Sequence, residues 1–433
     1  MPIRNLVRLV LLLALLSVSR HARAHENSIF SQGKEVYQMH YSTHINVAPK
    51  ASDEEYLKIA TLHTNYLVGA IAYIKDVDNQ NANGAPLRRK EDIKVTSTAK
   101  NTDGSIDLQY SYDGEVVLDR EDMTAYTLYL PEKLEAIDKL DEVAIGNCSL
   151  GAYAKTPDIF PVYWTPFNKY CEVPTITVKA TLAPIVMKTT YPDYPRLAKD
   201  GVIQTSIFVG KMNEKAVHNP YKVMGRDESR SEYLEIVRDL KSHGFVRTEI
   251  IKAENLDTSY QETFETTIGA LKFIVKMVYG NSVYFVDGQI KGITDFYDQY
   301  LKLAKESAFV VYSGHAGFMV RASGTGFYEK KELKLDADRY QIFVMNGCQT
   351  NDYIYPMFAL KGGSKNLDMF INARESIVNP LASTAMIDAM LAWARNGTWT
   401  SYPTLVSKMD FVDAMLGVVG EQDNPVAPYQ LSQ

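Results

Sequence analysis

The chain has 433 residues, more than one ordinary domain needs, so two or three units are expected. It is 46% hydrophobic and 23% charged and carries no low-complexity tract, which excludes a disordered or fibrous protein. A net charge of −6 offers no basic face of the kind nucleic acid requires, so no nucleic-acid partner is expected.

Residues 1–24 read as an export signal. Arg4 and Arg8 give a positive start, "LVLLLALLSV" is half the roughly 20 apolar residues a bilayer span needs, and Ala22-Arg23-Ala24 fits a cleavage site. A retained anchor is the alternative. No later stretch is long and apolar enough to span, so the mature chain is expected in the periplasm or outside the cell, with no stable membrane span.

Residues 25–195 read as a β-rich α+β accessory domain. Tyr56, Ile59, Ala60, His63, Leu67 and Ala70 fall on one helical face. In "SIDLQYSYDGEVVLD" the residues Ile106, Leu108, Tyr110 and Tyr112 alternate, and Asp113-Gly114 predicts a hairpin turn. "AYTLYLP" and "TITVKATLAPIVM" continue the strands, and "TTYPDYPRLAKDG" marks the boundary.

Residues 196–433 read as an α/β domain with a mainly parallel sheet flanked by helices. "VIQTSIFVG" lacks clean alternation, as in a strand covered on both faces. Ser229 and Glu232 form a capping box before a helix striped by Tyr233, Ile236, Val237 and Leu240. "VRTEII" is a strand, and Phe264, Ile268, Leu271, Val275 and Val278 predict a long helix ending before Gly280. "SVYFV" is a strand and "ITDFYDQYLKLAKES" a helix. "AFVVYS", "QIFVM" and "DMFINA" are strands; Asn379-Pro380 opens a helix to about Ala394, and Ser401 caps another.

An oxidising compartment changes how the three cysteines are read. Cys148 and Cys171 lie close enough in sequence to close a disulfide. Cys348 is then left over, which suggests an intermolecular bridge or a reactive thiol.

Two stretches share one pattern. "AFVVYSGHAG" runs apolar strand, polar residue, Gly314, His315; "QIFVMNGCQT" runs apolar strand, polar residue, Gly347, Cys348. Parallel central strands would bring both residues out at the carboxyl edge, where open α/β sheets bind ligands. A thiol is mostly protonated at neutral pH, and a nearby imidazole can lower its pKa and deliver a proton to a leaving amine. Backbone N–H groups after Gly314 and at Cys348 can receive an oxyanion. The plain alternative is a buried cysteine that only fills space.

"VVYSGHAG" followed by "FVMNGCQT" resembles the His and Cys blocks of the caspase-like cysteine peptidases, the group that holds caspases, legumains, gingipains and separases. The resemblance covers roughly 203–395. It implies a caspase-like sheet, Cys348 as nucleophile, His315 as proton shuttle, and the Ala316 and Cys348 amides as oxyanion hole. It also implies a protein or peptide substrate, no cofactor and no metal, and a zymogen restrained by its N-terminal part. The group usually has glycine directly after the histidine; here Ala316 precedes Gly317. Some members of the group orient the histidine with a polar residue just after the first strand, and Asn213 stands in that place; a plain loop asparagine is the alternative. Arg374 and Glu375 follow "DMFINA" at the same sheet edge, either lining a specificity pocket or as solvated loop charges.

Two rival functions stay open: a catalytically inactive caspase-like scaffold, and an exported carbohydrate- or surface-binding protein dominated by the tyrosine-rich N-terminal half. His40, His44 and His63 lack a further ligand at metal spacing and are read as structural. Cleavage after Ala24 would leave His25 as an amino-terminal copper chelator, an accidental match.

Overall fold

The computed structural model describes residues 28–30, 34–73, 83–87, 93–134, 140–149, 160–212, 228–251, 260–280, 285–286, 289–290, 295–316, 318, 333–376, 378–410, 415–423, 426 and 428. The expected leader 1–24, His25, Asn213 and Gly317 lie outside them.

Alternating apolar and polar residues build the strands of the first half of the chain. In chain order these elements are β1 (Ser28–Phe30), β2 (Glu35–Val47), α1 (Asp53–Thr64), α2 (Leu67–Ala72), β3 (Gly84–Leu87), β4 (Ile93–Lys100), β5 (Ile106–Leu118), β6 (Ala125–Pro131), α3 (Glu142–Asn147), β7 (Thr175–Pro184) and α4 (Tyr194–Leu197). Strands β3-β5-β2-β7-β6 form an antiparallel sheet, with β4 also on β5. Ser52 caps α1 by accepting from the Glu55 amide, and Tyr56, Ala60 and His63 turn inward as the helical stripe predicts. His63 is enclosed: Nε2 lies 2.8 Å from the Pro131 carbonyl and Nδ1 2.7 Å from the Tyr110 hydroxyl. Burial pushes its pKa down to about 4.

The predicted turn at Asp113-Gly114 is absent. β5 runs straight through it, Asp113 opposite His40 and Gly114 opposite Met39. An uninterrupted ladder with β2, helped by Gln38 donating to Asp113 at 2.7 Å, outweighs the local turn preference. Cys148 and Cys171 are at disulfide distance, 2.01 Å, beside the buried Trp164.

The later elements are β8 (Val202–Gly210), α5 (Glu228–Ser242), β9 (Val246–Ile251), β10 (Tyr260–Ile268), β11 (Leu271–Gly280), β12 (Phe285–Val286), β13 (Gln289–Ile290), α6 (Asp295–Glu306), β14 (Phe309–Ser313), β15 (Gln341–Asn346), α7 (Ile354–Lys361), β16 (Leu367–Asn372), α8 (Leu381–Asn396), α9 (Tyr402–Met409) and β17 (Leu416–Val419). A nine-stranded sheet runs β1-β17-β16-β15-β14-β8-β11-β10-β9. Its five central strands, β16 to β11, are mutually parallel; β10, β9 and β17 pair antiparallel at the flanks. β14, β15 and β16 are buried on both faces, which is why their sequences run apolar without alternation. Phe309 and Val311 pack with α5, α8 and α9 on one side, while Val310 and Tyr312 pack with α6 and α7 on the other. The chain is thus a mixed α/β protein, and no helix among the described residues is long and apolar enough to cross a membrane.

The helix predicted through Phe264 and Val278 is instead the β10–β11 hairpin, which turns at Gly269 with φ 58°. Its residues fit both periods, since Phe273, Val275 and Met277 also alternate inward. Threonine and β-branched residues, with a left-handed glycine between them, favour the strands. The predicted capping box also fails. Ser229 and Glu232 sit within α5, and both are buried.

Candidate active site

The ladders of the central strands place the site. Val209 of β8, Ser313 of β14 and Asn346 of β15 are neighbours across the sheet, and the next residue in each strand is a glycine. Gly280 of β11 pairs with Gly210, so Gly280, Gly210, Gly314 and Gly347 cross four adjacent strand ends as one row. The backbones meet closely there. Gly314 N–H donates to the Asn346 carbonyl at 3.0 Å, and a Cβ on Gly347 would stand 2.9 Å from the Gly314 oxygen. His315 and Cys348 are the residues that follow, so both leave the carboxyl edge from neighbouring strands.

Local contacts fix each one. His315 Nε2 lies 3.1 Å from the Met212 carbonyl at the end of β8. A carbonyl can only accept, so Nε2 is the donor and the neutral ring carries its lone pair on Nδ1. Tyr312 donates to the His315 carbonyl at 2.7 Å, and Tyr353 to that of Ala316 at 3.0 Å. Cys348 is partly buried, with Sγ 3.7 Å from the Ser376 carbonyl. Gln349 then takes a left-handed φ of 51°, rare outside glycine, and its N–H donates to the Arg374 carbonyl at 2.9 Å. That bend turns the chain sharply off β15 and leaves Cys348 at the corner.

The thiol runs against the sequence expectation. Burial pushes its pKa up; backbone at Ser376 offsets part of this, and the Glu375 carboxylate adds to the rise. In this state Cys348 is a thiol.

Arg374 and Glu375 do come to this edge. Arg374 supplies the carbonyl that holds Gln349, and Glu375 accepts from Tyr73 at 3.1 Å, a residue at the end of α2. Asn351, just past the cysteine, donates to the Pro86 carbonyl of β3 at 3.0 Å. The α2 end and strand β3 of the first half of the chain therefore each hold one of the loops around Cys348.

Behind the strand ends lies a polar chain that sequence reasoning missed. Ser313 donates to Glu232 Oε2 at 2.9 Å, and the Asn346 amide donates to Ser313 at 3.0 Å. Asn346 Oδ1 in turn accepts from Ser376 at 2.5 Å and from Asn372 at 3.0 Å. Burial pushes the Glu232 carboxyl up to about 7, against the lowering effect of Ser313 and the Asn379 amide; Glu235 adds a little to the rise. Its Oε1 is buried without a hydrogen-bond partner. The missed signal was an acid inside the buried stripe beside Tyr233 and Ile236, and the polar residue that ends each apolar strand.

Compared with protein families, curated proteins and solved structures, the chain matches none.

A base and a thiol leaving neighbouring strands suit acyl transfer, with the amides of the two turns as anion donors. Among the described residues the group with metal-ligand spacing is elsewhere. Asp239 of α5, His243 just past its end and Asp388 of α8 bring their ligand atoms within 4.8 Å of one another. His243 Nδ1 is 3.5 Å from Asp239 and Nε2 3.3 Å from Asp388, an imidazole bracketed by two carboxylates.

Proposed function

We propose that the chain is an exported cysteine endopeptidase built on a caspase-like parallel sheet, with the antiparallel sheet as its accessory part. The observation that carries this reading is the delivery of His315 and Cys348 from adjacent parallel strands, each one step past a glycine of the same row.

With Nε2–H tied to Met212, Nδ1 is the atom that takes the thiol proton. Because the resting thiol is protonated, that transfer accompanies attack rather than preceding it. Sγ adds to the substrate carbonyl, and the Ala316 and Cys348 amides receive the oxyanion. Collapse expels the amine with the proton from Nδ1, leaving a thioester. Water, deprotonated by the same nitrogen, then releases the acid and restores the thiol. The Met212 carbonyl serves as the orienting group, a role the resemblance would give to Asn213.

An electrophilic peptide probe should label Cys348. Cys348→Ala should abolish peptide hydrolysis with the fold kept, and His315→Ala should lower kcat by about 10² to 10⁴. Iodoacetamide should alkylate the free protein slowly at pH 7 and faster only above the ordinary thiol value of 9.0.

The raised thiol favours a second reading, a catalytically inactive scaffold. No hydrolysis, with alkylation of Cys348 only on unfolding, would establish that reading in place of the first.

A further inference from the structure

The end of α5 faces α8 with an imidazole held in one orientation. Gly244 takes a left-handed φ of 87° and closes the helix: its N–H donates to the Lys241 carbonyl and the Phe245 N–H to the Leu240 carbonyl, each at 3.1 Å. Phe245 is buried in the core with Leu240, so the cap residue His243 is pinned between them and the helix. His243 Nδ1 lies 3.1 Å from the Asp239 carbonyl, which can only accept. Nδ1 therefore carries the hydrogen, and the neutral ring keeps its lone pair on Nε2. Asp388 Oδ1 of α8 stands 3.3 Å from that nitrogen.

With the ring neutral, a lone pair thus faces a carboxylate oxygen. Asp388 Oδ1 and Asp239 Oδ2 are both buried atoms without a hydrogen-bond partner. Among the described residues His243 is the one ion-pair partner of either carboxylate, and Arg395 directs its guanidinium to the His243 carbonyl at 3.4 Å. Burial, then Asp239, push the Asp388 carboxyl up, while His243, Lys408 and Arg395 draw it back. A metal cation would satisfy the lone pair and both oxygens at once. Zinc holds imidazole nitrogen and carboxylate oxygen at about 2.0–2.2 Å, so two ligands of a tetrahedral zinc stand roughly 3.4 Å apart. Nε2 and Asp388 Oδ1 already have that spacing, and Asp239 completes a group whose ligand atoms lie within 4.8 Å of one another. The bond from Nδ1 to a backbone carbonyl is the outer support that metal-bound histidines usually have. Two carboxylates and a neutral imidazole balance the double charge of zinc. The side chains of His243, Asp239 and Asp388 are 26%, 30% and 45% exposed, which leaves the fourth position to water.

We propose that Asp239, His243 and Asp388 form a zinc site that clamps the end of α5 to α8. The site is structural, lies on helices rather than strand ends, and holds whether or not the chain cleaves peptides.

The test uses the full chain, stripped with a chelator and then dialysed against zinc alone. One zinc per chain should stay bound and raise the melting temperature. Cobalt in its place should give the strong visible absorption of a tetrahedral centre without a thiolate band. His243→Gln and Asp388→Asn should each weaken zinc binding by about 10²-fold or more, since loss of an outer-shell partner alone costs 10- to 100-fold. Each should also cancel the melting shift, and cooperative melting without metal shows that the variant folds. Cys348→Ala controls for zinc held by the thiol and should keep both the zinc and the shift. No bound zinc in the wild-type chain would overturn the proposal and leave His243 as a plain link between two carboxylates. A thiolate band or an octahedral cobalt spectrum would overturn it without any variant. So would zinc that survives in a folded His243→Gln chain and is lost in Cys348→Ala.

Discussion

Burial keeps the Glu232 carboxyl protonated up to about pH 7, whereas its ordinary value is 4.5. Between those two values the folded chain holds a proton that the unfolded chain has released, so stability falls as pH rises through that window. The shift corresponds to roughly 3 kcal/mol. Glu232→Gln removes it, and the difference in unfolding free energy between pH 5 and pH 8 should shrink by about that amount in urea titrations. Equal pH dependence in the two proteins would mean that the carboxyl is solvated in solution. The same residue marks a limit of sequence reading. Ser229 and Glu232 have the spacing of a capping box, and only the tertiary fold reveals that Glu232 faces Ser313 rather than its own helix end. Cys348 shows the opposite case: its place at a strand end was legible, but the direction of its pKa shift was not, because that depends on how deeply the neighbouring loops cover it.

Strands with strong, single-minded patterns were read correctly. β14, β15 and β16 are short, mostly apolar runs bounded by turn residues, and the two candidate catalytic residues lie just past the ends of β14 and β15. The failures came where two patterns coexist. "TFETTIGALKFIVKMVYG" satisfies a helical and an alternating period, and Asp113-Gly114 has turn chemistry inside a strand that keeps its partner. Pairing decided in both cases: β10 and β11 fold back on each other at Gly269, and β5 keeps its ladder with the distant β2, which no local window shows. The glycine row was half visible, as two strand ends; its extension to Gly210 and Gly280 needs the register. Gly347→Ala tests that row. The new methyl would meet the Gly314 oxygen at 2.9 Å, so backbone must shift. We expect a loss of about 1–3 kcal/mol in stability. The electrophilic probe should also label Cys348 more slowly, while a substitution at the solvent-exposed Val186 should change neither.

At the scale of the molecule, the two sheets share a core. Val36, Ala85, Leu87 and Val117 of the antiparallel sheet pack in one cluster with Phe296, Phe343 and Met345 of the larger half. A zymogen reading of the N-terminal part predicts that removing it releases activity. The packing predicts instead that a chain starting near residue 196 loses that cover and the β1 strand, and exposes apolar surface. Such a truncation should aggregate or bind hydrophobic dyes and lose cooperative thermal unfolding. A monomeric, cooperatively melting fragment would show that the antiparallel sheet is dispensable. The pairing of β1 with β17 has a further consequence, for the order of folding. Ser28 lies opposite Val419, so one edge of the large sheet is closed by two segments almost the whole chain apart. Closing so long a loop is entropically uphill, and contacts of such separation form late. Until β17 is made, β16 has no outer neighbour, and the loop after it, which carries Arg374, Glu375 and Ser376, hangs from an uncapped strand. A chain broken before β17 therefore lacks this support, and the surroundings of Cys348 are completed only once β17 pairs with β16.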